Sequence, residues 1–267
     1  MSFQYPPKGP DAGQEPDSPP PRTPAPPQAR QPLRPVRLPQ SPPVVSYTLM
    51  AITIGVYLLQ VLSKSIYGAD VVALLGMKNN AAIMAGEWWR LFTPMLLHGS
   101  IFHIGFNMYA LYVLGPGLER FYGGWRFLLL YIVSGFTGNV MSFMLSPYNS
   151  LGASTAIFGL LGAQGVFLYL HRDLFGDAAK RSLANIVFIA AVNLFIGLSP
   201  GIDNWGHVGG LIGGTAFAWF GGPKLGVRDE GFALVLENVR PALISLLTAV
   251  VIMIAFLGAG MTFGGAG

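Results

Sequence analysis

Cysteine is absent from the 267 residues, which excludes disulfides, thiolate nucleophiles and cysteine-ligated metals. Charge is scarce: Asp, Glu, Lys and Arg make up 10% of the chain, against about a quarter in an ordinary soluble domain. No apolar run holds the two carboxylates that an aspartyl site needs. The four histidines, His98, His103, His171 and His207, have no glutamate placed to complete an HExxH-like zinc cluster. Neither a metal nor another cofactor is therefore expected. What remains is hydrophobic: 52% of the residues are apolar, and they are gathered into long runs.

A bilayer-spanning helix needs about 20 apolar residues and accepts roughly 17 to 25. Seven runs meet that measure, at about 44–62, 101–118, 126–146, 152–170, 183–199, 204–222 and 241–260. The expected fold is an all-α polytopic membrane protein with seven spanning helices, the last of them C-terminal. Lysine and arginine orient it. With the N-terminus cytoplasmic, thirteen of the sixteen fall on the inner side; only Lys64, Lys78 and Arg90 lie outside, all in one loop. That bias follows the positive-inside rule, so the expectation is a multi-pass protein of the cell (inner) membrane with its N-terminus cytoplasmic and C-terminus external. The basic residues form no patch for nucleic acid, although the pI is near 9.4.

Three regions follow. Residues 1–43 hold fifteen of the 21 prolines and little that can form a core, so they read as a disordered Pro-rich cytoplasmic tail. Such a tail is a solvated extension with a basic anchor, or a docking site for a proline-binding partner; composition favours the former. The tail lacks the apolar h-region of a signal peptide and the Arg- and Ser-rich amphipathic character of a transit peptide. Residues 44–222 hold the first six spans and an external loop, 63–100. Residues 223–267 form a cytoplasmic linker and the seventh helix. In the loop, Trp88, Trp89, Phe92, Met95 and Leu96 recur at helical spacing beside Glu87 and Arg90, as in a segment lying in the membrane interface. The paired tryptophans read as an aromatic-belt anchor.

Polar residues inside the spans are few. The second, fourth and sixth spans all run from outside to inside, and each carries polar side chains within its first two turns: His103 and Asn107, Ser154, and His207. At about 1.5 Å per residue these four share one depth. Alone, Ser154 reads as a helix-packing residue, Asn107 as interhelical glue and His103 as a loop cap; an ionisable residue such as His207 within a span is usually functional. Glycines recur in the same two spans, at Gly152 and Gly159 in the fourth and at Gly206 and Gly210 in the sixth. They predict close packing of the helix bearing Ser154 on the helix bearing His207.

Serine with histidine is the minimum pair for an activated nucleophile. No third triad member is evident: Asp203, one turn before His207, reads as a helix cap, with orientation of the imidazole as its other possible role. Phe158 shares the Ser154 face and can stack on the imidazole. The Ser154 N–H, in the first turn of its helix, is free to stabilise an oxyanion, with the Asn107 amide and His103 as candidate partners.

These residues resemble the rhomboid intramembrane serine proteases. The resemblance covers roughly residues 44–222. It rests on Trp89-Arg90, His103-x-x-x-Asn107, the GAST stretch from Gly152 to Thr155, and HVGGLIGG beginning at His207. It implies a six-helix bundle, here with a seventh helix, that cleaves single-span transmembrane proteins in or near their membrane segment. It implies Ser154 as nucleophile and His207 as base, with Asn107 and His103 on the oxyanion. Phe158 would pack on the histidine, and Trp89 with Arg90 would order the external loop. The departure is Thr155, where the family's motif carries glycine. Its hydroxyl is expected to bond a backbone carbonyl. The alternative the departure supports is a catalytically weak or inactive rhomboid-like protein that binds membrane clients. A solute transporter, which the spans also permit, predicts polar groups near the midplane instead.

Overall fold

The structure is a computed structural model that describes residues 36–38, 41–230 and 234–263. Nine α-helices are present among them. α1 (Val44–Tyr67) begins after Pro42-Pro43 and ends at Gly68, whose φ of +70° is the left-handed conformation that closes many helices. It has no side-chain cap of its own. Instead the buried carboxylate of Glu119 accepts from the Val45 and Ser46 N–H groups at 2.9 and 2.7 Å, satisfying the orphan donors from another helix.

Two short helices, α2 (Val71–Gly76) and α3 (Asn80–Met84), are capped by Asp70 and Asn79, each accepting from a backbone N–H at 2.8 Å. Residues 88–96 form two 3-10 turns, Trp88–Leu91 and Thr93–Leu96, not the single amphipathic helix their spacing suggests. Pro94 lacks an N–H and disfavours helical geometry at the residue before it. The remaining helices are α4 (Ile101–Tyr122), α5 (Gly124–Leu145), α6 (Ser154–Leu170), α7 (Arg172–Ile196), α8 (Asn204–Phe220) and α9 (Ala242–Phe263).

Five helices, α1, α4, α5, α7 and α9, are long and apolar enough to cross a membrane, and the chain is a polytopic membrane protein. α6 and α8 have 17 residues each, at the short end of the spanning range. α7 differs from expectation. It starts at Arg172, not near 183, and is broken at Gly176, whose φ of +54° no ordinary residue adopts comfortably. The polar stretch after Arg172 lowers the local hydropathy and hides the start of the helix.

The linker after α8 adds a small sheet to the helical fold. Strands β2 (Leu225–Asp229) and β3 (Leu234–Asn238) pair antiparallel, and β1 (Val36–Arg37) adds parallel to β3, giving the order β1-β3-β2. Two residues assigned to an unstructured tail thus join a sheet; residues 1–35 and 39–40 of that tail lie outside the described residues. The His171 ring, just after α6, ties the sheet to the core: Nε2 accepts from Leu225 N–H at 3.0 Å and Nδ1 lies 2.8 Å from the Phe167 carbonyl.

At the centre, α8 packs along both α5 and α6. The contact is at backbone range, because a Cβ added at Gly210 would overlap the Thr155 carbonyl and one at Gly214 would overlap the backbone of Gly159. Gly159 in turn leaves room for the Ser134 side chain of α5. Larger side chains, among them Phe127, Leu130, Tyr131, Leu160 and Phe217, fill the layer around these contacts.

Candidate active site

Ser154 is the first residue of α6, a helix that starts without a side-chain cap. Its leading N–H groups have no intrahelical carbonyl and lie at the positive end of the helix dipole. The approach to it is fixed by Gly152, whose φ of +137° strains any side chain and whose N–H donates to the Pro94 carbonyl at 2.9 Å. His207 lies in the first turn of α8, 9% exposed, and its Nε2 is 3.0 Å from Ser154 Oγ. The Phe158 ring stacks on that imidazole with centroids 4.3 Å apart and planes 13° from parallel. With the proton on Nδ1, the Nε2 lone pair faces the hydroxyl, the geometry of a general base and its nucleophile.

Asp203 does not orient the histidine. Its carboxylate caps α8, accepting from Gly206 N–H at 3.0 Å, and accepts a second bond from Ser142 Oγ at 2.5 Å. His207 Nδ1 is buried with no partner among the described residues.

His103 and Asn107 stand on α4. A methyl added at Gly152 would lie 2.7 Å from His103 Nε2 and 3.6 Å from Ser154 Oγ, so His103 and the serine border the same small space. Asn107 is buried, and its Nδ2 donates to the His103 carbonyl one turn back at 2.9 Å. Thr155 differs from expectation: its Oγ1 is buried and bonds no carbonyl or other partner among the described residues. Gly206 and Gly210 both lie against Thr155.

The loop between α1 and α4 is pinned from within. Arg90, 5% exposed, donates from Nη1 to the carbonyls of Leu74 and Met77 at 2.9 and 2.8 Å and pairs with Glu87 at 2.6 Å. Trp89 Nε1 donates to the Leu75 carbonyl at 3.1 Å while half of its surface stays exposed.

Two further residues hold the segments that lead into the site without any sequence signal to mark them. Lys78 is wholly buried, with Nζ donating to the Ser146 and Tyr148 carbonyls at 2.6 and 2.9 Å, which clamps the loop to the α5–α6 turn. Burial pushes its pKa down to about 8, against the opposing charge of Asp203. The His98 ring packs edge-on to His103 at 5.0 Å, and its Nε2 faces the Ala153 N–H at 3.4 Å. Burial first, and His103 second, push His98 down to about 4, against a hydrogen bond to the Leu96 backbone. Gln60 fixes that corner, accepting from His98 N–H at 3.0 Å and donating to its carbonyl at 3.1 Å. Among the described residues no three His, Cys, Asp or Glu side chains gather as a set of metal ligands.

A bundle of membrane helices with a serine and a histidine in hydrogen-bond contact, both within the first turns of glycine-packed helices, defines a class of intramembrane sites. Comparison with known proteins is specific. The rhomboid domain profile matches residues 85–224. Rhomboid protease GluP of Bacillus subtilis (strain 168) is 42% identical over 186 residues, covering 69% of this chain and 36% of GluP. RHOMBOID-like protein 9, chloroplastic, of Arabidopsis thaliana is 35% identical over 159 residues, covering 59% of this chain and 37% of that protein. Rhomboid protease AarA of Providencia stuartii is 30% identical over 196 residues, covering 64% and 70%. The chain belongs to the rhomboid family. It spans little more than a third of the length of the first two of these relatives.

Proposed function

We propose that this chain is an intramembrane serine endopeptidase of the cell membrane, acting on single-span transmembrane proteins in or near their membrane segment. The observation that carries the reading is the 3.0 Å separation of Ser154 Oγ and His207 Nε2. Ser154 Oγ attacks the scissile carbonyl carbon as its proton passes to His207 Nε2. The tetrahedral oxyanion is met by the Ser154 N–H, with the Asn107 amide and His103 as side-chain donors. On collapse the C–N bond breaks and His207 returns the proton to the leaving amine. Water then attacks the acyl ester with His207 again as base, releasing the acid and restoring the serine. Phe158 holds the imidazole in plane throughout. The fold sits with its N-terminus cytoplasmic, so the site opens to the external face, where water enters.

The test is cleavage of a purified single-span protein in proteoliposomes. Wild-type protein cleaves it and Ser154→Ala does not, with His207→Ala equally inactive. Equal cleavage by wild type and Ser154→Ala overturns the assignment. Binding of the client without cleavage by wild type would instead favour a client-binding protein.

A further inference from the structure

We propose that Thr155 is a positioning residue: its branched side chain wedges between α5 and α8 and sets how closely His207 approaches Ser154. The inference rests on the Ser154–His207 reading above. Thr155 follows Ser154, and Gly206 precedes His207, so any contact between Thr155 and Gly206 joins the immediate neighbours of the reacting pair. Such a contact exists. A Cβ built on Gly206 would lie 3.1 Å from Thr155 Cγ2. One built on Gly138 of α5 would lie 2.7 Å from Thr155 Cβ, 2.9 Å from Cγ2 and 2.6 Å from the Gly206 carbonyl. The branched Thr155 side chain therefore fills the space that Gly138 leaves empty and shares with the Asp203 carboxylate, 2.9 Å from the same built Cβ, the space that Gly206 leaves empty; Thr155 itself is 5% exposed.

The chemistry of the side chain points to shape as its contribution. The hydroxyl is buried without a partner among the described residues, which is a cost and not a gain. A β-branched residue in a helix is held in few rotamers, so its methyl is a stiff spacer. One turn further along α8, the Thr155 carbonyl meets Gly210 at backbone range. The methyl at one level and the carbonyl at the next then fix both the spacing and the tilt of the two helices. Shortening the spacer lets α8 settle inward and moves the imbalance directly onto the 3.0 Å pair, and small misplacements of reacting groups are expensive in rate.

The experiment compares Thr155→Val, Thr155→Ser and wild type in the proteoliposome assay, alongside Ser154→Ala. Valine keeps the branch and discards the unpartnered hydroxyl; serine keeps the hydroxyl and discards the methyl. The expected result is that Thr155→Val holds kcat and KM within about twofold of wild type and unfolds at a higher temperature. Thr155→Ser keeps KM but loses roughly tenfold in kcat, with a parallel fall in the rate of inactivation by a fluorophosphonate. A purely structural role would lower the unfolding temperature of the serine variant and leave kcat unchanged at temperatures where it is folded. Full kcat in Thr155→Ser, or equal loss in Thr155→Val, overturns the proposal while leaving the dyad intact. Residual cleavage by Ser154→Ala overturns the dyad itself, whatever Thr155 does.

Discussion

The central helices and the outer ones are built by different rules. In α5, thirteen of the 22 residues are buried inside the protein, whereas α7 buries two of 25 and α9 four of 22. The outer helices spend bulky residues on lipid: Leu247, Val251 and Ile254 of α9 are all more than half exposed. The inner ones pack on glycine and hydroxyl side chains, because in a bilayer apolar contact alone gives helices no preference for one another over lipid. The same close approach that replaces that missing force lets Ser154 and His207 meet from separate helices. Length does not follow the division: α6 and α8 have 17 residues each, but the buried α5 has 22, as many as the outer α9.

The sharpest way to break this contrast is Gly210→Ala. Its methyl falls on the Thr155 carbonyl, so we expect a loss of about 3 kcal/mol or more in stability together with loss of activity, measured by thermal unfolding in micelles and by cleavage. Next is Lys78→Met, which strips the donors from two carbonyls and frees the loop between α1 and α4; a loss of about 2 kcal/mol and faster proteolytic nicking within residues 77–100 are expected.

A smaller effect comes with acid. His98 is held down to about 4 from its ordinary 6.5, so between those values the unfolded chain takes up a proton that the folded one refuses. Stability is therefore full above pH 6.5 and falls as pH drops toward 4; burial lowers His171 also, and its contribution has the same sign. His98→Asn flattens the melting temperature against pH, and an unchanged slope would refute the assignment. Smallest is Leu247→Ala on the lipid face of α9, expected to stay within about 0.5 kcal/mol.

How much of this was legible in the sequence depended on the length of the signal. Ser154, His207, His103 and Asn107 stood out because polar groups are rare inside apolar runs and because the positive-inside bias set them at one depth. Phe158 followed from helical spacing. The sheet did not, because β2 and β3 are five residues each, show no alternation of buried and exposed positions, and are lost beside runs of twenty. Lys78 and His98 carry no mark at all: each matters through carbonyls and N–H groups brought from 50 or more residues away, which only tertiary structure supplies. The Thr155 hydroxyl was expected to bond a backbone carbonyl and instead has no partner among the described residues, at a junction of three helices, a packing fact with no local signature.

The most direct test of the central claim, that His207 activates Ser154, is the site and rate of fluorophosphonate labelling, read by peptide mass spectrometry on wild type and His207→Ala in liposomes. The account predicts one adduct, on Ser154, formed at least about a hundredfold more slowly without the histidine. Labelling at another residue, or at Ser154 with the same rate in both proteins, would contradict it.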